Sequence, residues 1–206
     1  MSACWQCGAS EAALFCESCK ALQAPPTDYY ALFGIPVRLS VNNDELQKRF
    51  YELSRALHPD RFTSRSETER RYSLEASSIL NDAWRALRDP VKRAEYVLRQ
   101  NGFDIGEQRS NNVPPELLEE VFELNMALEE MRGGDESARP QLEAARVNFL
   151  RMRDEIDDQL AGEFRAWDET GEREKLGEIR GLLNRRKYIQ NLVGEVEESL
   201  APALQE

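Results

Sequence analysis

Along "VNNDELQKRFYELSRAL" (residues 41–57), Leu46, Phe50, Leu53 and Leu57 recur at spacings of 4, 3 and 4, the repeat of a single helix face. At about 100° per residue the opposite face carries Lys48, Glu52 and Arg55. Asn42 is positioned to cap this helix, with Glu45 in the reciprocal capping-box place. Pro59 ends it, because a residue before proline is driven out of the α region. A second helix is predicted from about Glu67 to Leu87, turning Tyr72, Ala76, Ile79, Leu80, Ala83 and Leu87 inward. Asp89-Pro90 starts a third over "VKRAEYVLRQ", and Gly102 closes it. Ahead of these, "DYYALFG" reads as a short apolar helical turn ended by Gly34.

The pattern resumes after "NGFDIGEQRSNNVPP", a run of turn formers. "PELLEEVFELNMALEEM" is helical and is broken at Gly133-Gly134. A long helix follows to about Trp167, with Leu142, Ala145, Phe149, Met152, Ile156 and Leu160 as its stripe. Another runs from about Glu172 to Leu200 through Leu176, Ile179, Leu183, Ile189, Val193 and Val196. Short connections between long amphipathic helices predict antiparallel neighbours in a three-helix bundle. No segment alternates with period two, so β structure is expected only around the cysteines, and no internal repeat stands out. The fold class is therefore all-α. Three blocks are expected: residues 1–24 with all four cysteines, 28–104, and 114–204, with "QAPPT" (residues 23–27) as an extended linker.

Composition narrows the function classes. The 206 residues suit roughly one to two domains. A net charge of −11 disfavours general nucleic-acid binding, which needs excess Lys and Arg, and disfavours anionic membrane surfaces. No apolar run reaches the roughly 20 residues that span a bilayer. "MSACWQCGAS" has neither a secretory nor an Arg-rich transit pattern. A soluble, cytoplasmic protein is expected, or one of the mitochondrial matrix if a presequence has been removed.

The cysteines form two knuckles, Cys4-x-x-Cys7 and Cys16-x-x-Cys19. Two thiolates per knuckle complete a four-sulfur tetrahedral site, which suits one structural zinc ion and leaves no open position for catalysis. Two disulfides, an iron–sulfur cluster or a redox pair are the alternatives. So short a segment has almost no core, and metal binding should supply its fold.

The only histidine lies in "HPDRF", His58 to Phe62. Catalysis by His58 would need an orienting carboxylate and a nucleophile or metal, and only Asp60 is at hand. The plainer reading is a helix-ending residue before a proline turn. Its surroundings change the weighting. "DYYALFGIP", the basic outer face of the helix before His58-Pro59-Asp60, Ile79-Leu80-Asn81-Asp82-Ala83-Trp84, Leu87-Arg88-Asp89-Pro90 and Arg93-Ala94-Glu95-Tyr96 together resemble a J-domain. That module stimulates the ATPase of DnaK-type chaperones. Asp28-Tyr29-Tyr30, Leu32-Phe33-Gly34, "HPDRF", "AEYVLRQNGFD" and the acidic helices "PELLEEVFELNMALEEM" and "RKYIQNLVGEVE" are similar to the HscB family, the J-domain co-chaperones of iron–sulfur cluster assembly. The knuckles resemble a zinc-binding extension found on some of its members.

The resemblance implies an adaptor with no active site of its own. It implies that His58, Pro59, Asp60 and Arg61, with Lys48 and Arg55, contact a DnaK- or HscA-type chaperone. It implies that Leu118, Phe122 and Met126, flanked by Glu119, Glu123 and Glu130 and joined by Tyr188, bind an IscU-type iron–sulfur scaffold. Cys4, Cys7, Cys16 and Cys19 would hold the zinc. A second apolar row on the same helix, Leu117, Val121, Leu124 and Leu128, competes for the binding role, and one of the two rows must be core. The chain departs from the family's pattern at Glu119, where many members have Met, and at Arg61, where the family usually has Lys. A general J-domain co-chaperone for other clients and a zinc-finger nucleic-acid binder are the alternative functions.

Overall fold

The computed structural model describes residues 3–10, 13–103 and 115–201, apart from the side chain of Glu116. Most of the turn-rich stretch after Gly102 lies outside them. Seven α-helices run in order among the described residues: α1 (Tyr29–Phe33), α2 (Asn43–Leu57), α3 (Glu67–Leu87), α4 (Pro90–Gln100), α5 (Leu118–Arg132), α6 (Arg139–Thr170) and α7 (Arg173–Leu200). The only β pairing among those residues is an isolated antiparallel bridge, Phe15 to Leu22, in the cysteine segment. No described helix is long and apolar enough to cross a membrane. The chain divides into two compact units, Met1–Val97 and Leu98–Glu206.

In the first unit, α2 and α3 lie side by side and α1 closes their end. Asn42 caps α2 by accepting from the amides of Asp44 and Glu45, and Leu46, Leu53 and Leu57 are buried as the periodicity predicts. Ala76, Leu80, Ala83 and Leu87 of α3 face them, and Phe50 stacks on Trp84 with centroids 4.9 Å apart. Asp28 caps α1 and also accepts from the Tyr96 hydroxyl of α4 (2.9 Å), whose ring stacks on Tyr29 at 4.3 Å. Arg93 is buried. Its guanidinium donates to the carbonyl of Leu39 (2.8 Å) and to that of Leu87, the last residue of α3. A buried cation at a helix C-terminus is favoured there by the helix dipole.

The cysteine segment belongs to this unit. Gln23 and Pro25, expected in an extended linker, are buried instead. The two knuckles repeat one backbone design that the sequence pattern did not disclose. Cys4 N–H donates to Ala9 and Gly8 N–H to Cys4 (2.8 and 2.9 Å); Cys16 N–H donates to Ala21 and Lys20 N–H to Cys16 (2.9 and 2.8 Å). In both, the residue after the second cysteine is left-handed: Gly8 at φ 72° and Lys20 at φ 62°.

In the second unit, α6 and α7 form a long antiparallel pair, and α5 packs against both. α6 ends at Thr170, three residues beyond Trp167, and Gly171 caps it. Leu142, Phe149, Ile156, Leu160 and Phe164 meet Leu176, Ile179, Leu183, Ile189, Val193 and Val196 as core. Ion pairs tie α6 to α7: Arg146–Glu197 (2.7 Å), a bidentate Arg186–Asp157 pair (2.5 and 3.0 Å) and Lys175 between Glu163 (3.0 Å) and Glu178 (2.7 Å).

Candidate functional site

The His-Pro-Asp corner begins where α2 stops. His58 takes φ −57°, ψ 129°, the extended conformation that a following proline imposes, and Pro59 to Phe62 form a single 3₁₀ turn. Arg61 N–H donates to the His58 carbonyl (3.0 Å), and Thr63 Oγ1 donates to the Asp60 carbonyl (3.2 Å). Phe62 is buried and pins the turn to the core. His58 Nδ1 accepts from the Asp60 amide (3.3 Å), so the imidazole serves as cap of its own turn. The Asp60 carboxylate, 3.6 Å from that nitrogen, keeps 86% of its side chain exposed. Lys48, Arg55 and Arg61 are exposed as well, and Arg61 reaches the Arg55 carbonyl at 3.5 Å. The corner thus offers an acid and nearby cations outward.

Two serines support the corner from behind. Ser73 Oγ, fully buried on α3, donates to the Leu57 carbonyl at 2.6 Å, and Ser77 Oγ donates to the same oxygen at 3.2 Å. The extended residue 58 leaves that helix-terminal acceptor without an intrahelical donor, and α3 supplies two. The sequence reading missed both serines, since a hydroxyl on an inward face leaves no periodic signal.

On α5 the two apolar rows separate cleanly. Leu117, just before the helix, and Val121, Leu124 and Leu128 are buried; Leu118, Phe122 and Met126 are 55%, 65% and 50% exposed. Glu119, Glu123 and Glu130 are exposed around them. Tyr188 sits on α7, half-buried; burial and then the Glu195 carboxylate raise its phenol above the ordinary value.

The four cysteine sulfurs all lie within 4.8 Å of one another, and all four cysteines are free. Cys4–Cys19 and Cys7–Cys16 are each 3.7 Å apart, too far for disulfides. A tetrahedron with metal–sulfur bonds of about 2.3 Å has edges of about 3.8 Å, so the set fits one tetrahedral ion. Burial raises the Cys4 thiol, but hydrogen bonds from the backbone of Cys7 and Gln6 and from neighbouring thiols outweigh it, bringing it to about 6. The Ala21 amide lowers the Cys19 thiol, but burial and the other three sulfurs outweigh it, and it reaches about 12. So close a set holds four thiolates together only around a cation. Gln23 Nε2 donates to Cys4 Sγ (3.3 Å) and to the Ala21 carbonyl (2.8 Å), fixing one ligand from outside the knuckle.

Residues 28–96 match the family model of the DnaJ domain, and residues 113–197 match that of the HSCB C-terminal oligomerisation domain. The iron-sulfur cluster co-chaperone protein HscB of Homo sapiens is 31% identical over 201 residues, covering 94% of this chain and 80% of that protein. This chain belongs to the HscB family. The Mus musculus HscB is 32% identical, over 97% of this chain and 83% of its own length. The crystal structure of human co-chaperone protein HscB superposes with a TM-score of 0.73 at 28% identity, covering 95% of this chain and 97% of that one. Chaperone HscB from Vibrio cholerae gives 0.59 at 28% identity, covering 83% of this chain and 96% of its own. An HscB protein is a co-chaperone, not an enzyme.

Proposed function

We propose that this HscB chain stimulates the ATPase of a DnaK- or HscA-type chaperone and delivers an IscU-type iron–sulfur scaffold to it, promoting cluster transfer and assembly. The observation that carries this reading is the Asp60 carboxylate, 86% exposed on a turn whose backbone is fixed from both sides. A rigidly displayed carboxylate suits a bidentate arginine on the chaperone. Pro59 sets the turn, His58 caps it, and Lys48, Arg55 and Arg61 supply a local basic face that steers an acidic protein onto its partner.

The scaffold takes the exposed row of Leu118, Phe122 and Met126, with Glu119, Glu123 and Glu130 as its polar rim and Tyr188 contributing from α7. The functional division is then residues 1–24 for metal, 28–104 for the chaperone and 114–204 for the scaffold. Carrying both partners on one chain raises their effective concentration for each other. Zinc, held by Cys4, Cys7, Cys16 and Cys19, would supply structural cross-linking and no chemistry. Four free thiols suit a reducing, cytoplasmic setting.

The test uses a purified DnaK-type chaperone and an IscU-type scaffold. This chain should raise the chaperone's ATP turnover several-fold, and His58→Gln should remove that rise at unchanged helicity. The scaffold should bind the wild type and His58→Gln alike. Equal stimulation by both chains would refute the reading.

A further inference from the structure

Glu69 is one of the few charged residues buried in the described structure, and it lies in neither partner-binding face. It stands in the first turn of α3, which begins at the exit of the His-Pro-Asp loop. One carboxylate oxygen accepts from the Leu22 amide at 3.3 Å, across 47 residues of sequence. The other accepts from Ser66 Oγ at 3.2 Å, while Ser66 Oγ accepts from the Glu69 amide at 3.2 Å. The pair Ser66 and Glu69 is thus a helix cap with its acid turned to a second task.

Leu22 is fully buried and follows Ala21, whose carbonyl closes the second cysteine knuckle by accepting from Cys16 N–H. Trp5, inside the first knuckle, donates from Nε1 to the Leu22 carbonyl (2.8 Å) and sets its ring edge-on to Tyr72, 6.4 Å between centroids. Tyr72 lies one turn beyond Glu69. Both knuckles therefore converge on one strip of α3. Between Ser66 and the corner there is only the turn in which Arg65 N–H donates to the Phe62 carbonyl (2.9 Å).

We propose that Glu69 is a positioning residue that couples metal loading of the cysteine module to the order of the His-Pro-Asp loop. The module has almost no core, so it holds the Leu22 amide in place only while its four sulfurs are tied together. When they are not, a buried carboxylate loses a donor and turns outward for water, since an unpaired buried charge is costly. The cap of α3 loosens with it, and residues 58–66 lose their fixed exit. The functional consequence rests on the chaperone reading above; the structural coupling does not.

The experiment is hydrogen–deuterium exchange on the full chain, with Zn²⁺ and after its removal by a chelator, for wild type, Glu69→Ala and Glu69→Gln. Zinc content and cobalt-substituted absorption report that the site still loads in each. In wild type, zinc should slow exchange of residues 58–70 several-fold. In Glu69→Ala, exchange there should be fast with or without zinc. Glu69→Gln keeps an acceptor for the Leu22 amide and should regain most of the zinc response. Chaperone stimulation should follow the same order. Exchange of residues 58–70 that ignores zinc in wild type would overturn the proposal, as would a full zinc response in Glu69→Ala. Should wild type fail to stimulate any chaperone while the exchange pattern holds, only the chaperone reading falls.

Discussion

Truncating Phe122 to alanine separates binding from folding. The ring is 65% exposed, so most of its surface is free for a partner to cover. A fully buried aromatic removes about 150–250 Å² from water, which leaves about 130 Å² here. At about 25 cal/mol per Å² that is about 3 kcal/mol, or roughly a hundredfold in scaffold affinity. The part of the ring covered by this chain's own atoms is smaller, and its loss costs the fold about 1–2 kcal/mol at most. Leu124, two residues on and so on the covered face at 1% exposure, is the matched control. Leu124→Ala empties a core site and should cost about 2–5 kcal/mol. Calorimetric titration against the scaffold and thermal unfolding should therefore rank the two variants in opposite orders. The reasoning fails if Phe122→Ala binds like wild type, or unfolds at a lower temperature than Leu124→Ala.

Ser73→Ala removes the 2.6 Å donor from the Leu57 carbonyl and leaves only the longer Ser77 contact. It should cost about 1–2 kcal/mol in chemical denaturation and speed amide exchange at residues 58–62. Gly8→Ala places a side chain at φ 72° with open space around its Cβ, so the penalty is conformational alone, about 1–2 kcal/mol. It should show as weaker zinc retention in a competition with a chelator, whereas Lys20→Gly at the equivalent place in the other knuckle should strengthen it. Hydrogen bonds that Lys175 donates to Glu178 and then to Glu163 raise its ammonium from 10.5 to about 12, and its stabilisation is complete below 10.5 and lost as pH rises through about 12. Lys175, with a lesser part from Glu163, holds Glu178 below its ordinary value of 4.5, so that contribution exists above 4.5 and is lost as pH falls through the lowered value. Amide protection factors at the α6–α7 turn, taken relative to the intrinsic exchange rate at each pH, should be highest between these limits in wild type and should lose this pH dependence in Lys175→Met.

Helices were legible because burial on one face leaves a periodic trace. Leu46, Leu53 and Leu57 on α2 and Ile179, Leu183 and Ile189 on α7 are buried as spaced. The choice between the two rows of α5 was not settled by period, since both rows are apolar and only packing decides which one is covered. Polar residues inside the first unit escaped the pattern altogether. Ser73, Glu69 and Gln23 are buried because each has a long-range partner, and such partners have no signature in local sequence. One signal was readable: Ser66-x-x-Glu69 has the form of a capping box at the start of α3. The burial of Gln23 and Pro25 had none, because paired prolines look alike in a free tether and in a docked one.

The most direct trial of the account is single-turnover ATP hydrolysis by a DnaK-type chaperone in the presence of wild type or Asp60→Asn. The substitution preserves the turn and removes only the displayed negative charge. Wild type should accelerate hydrolysis and Asp60→Asn should leave it at the chaperone's basal rate, with identical circular dichroism for the two chains. Acceleration by Asp60→Asn equal to that of wild type would contradict the assignment of this corner.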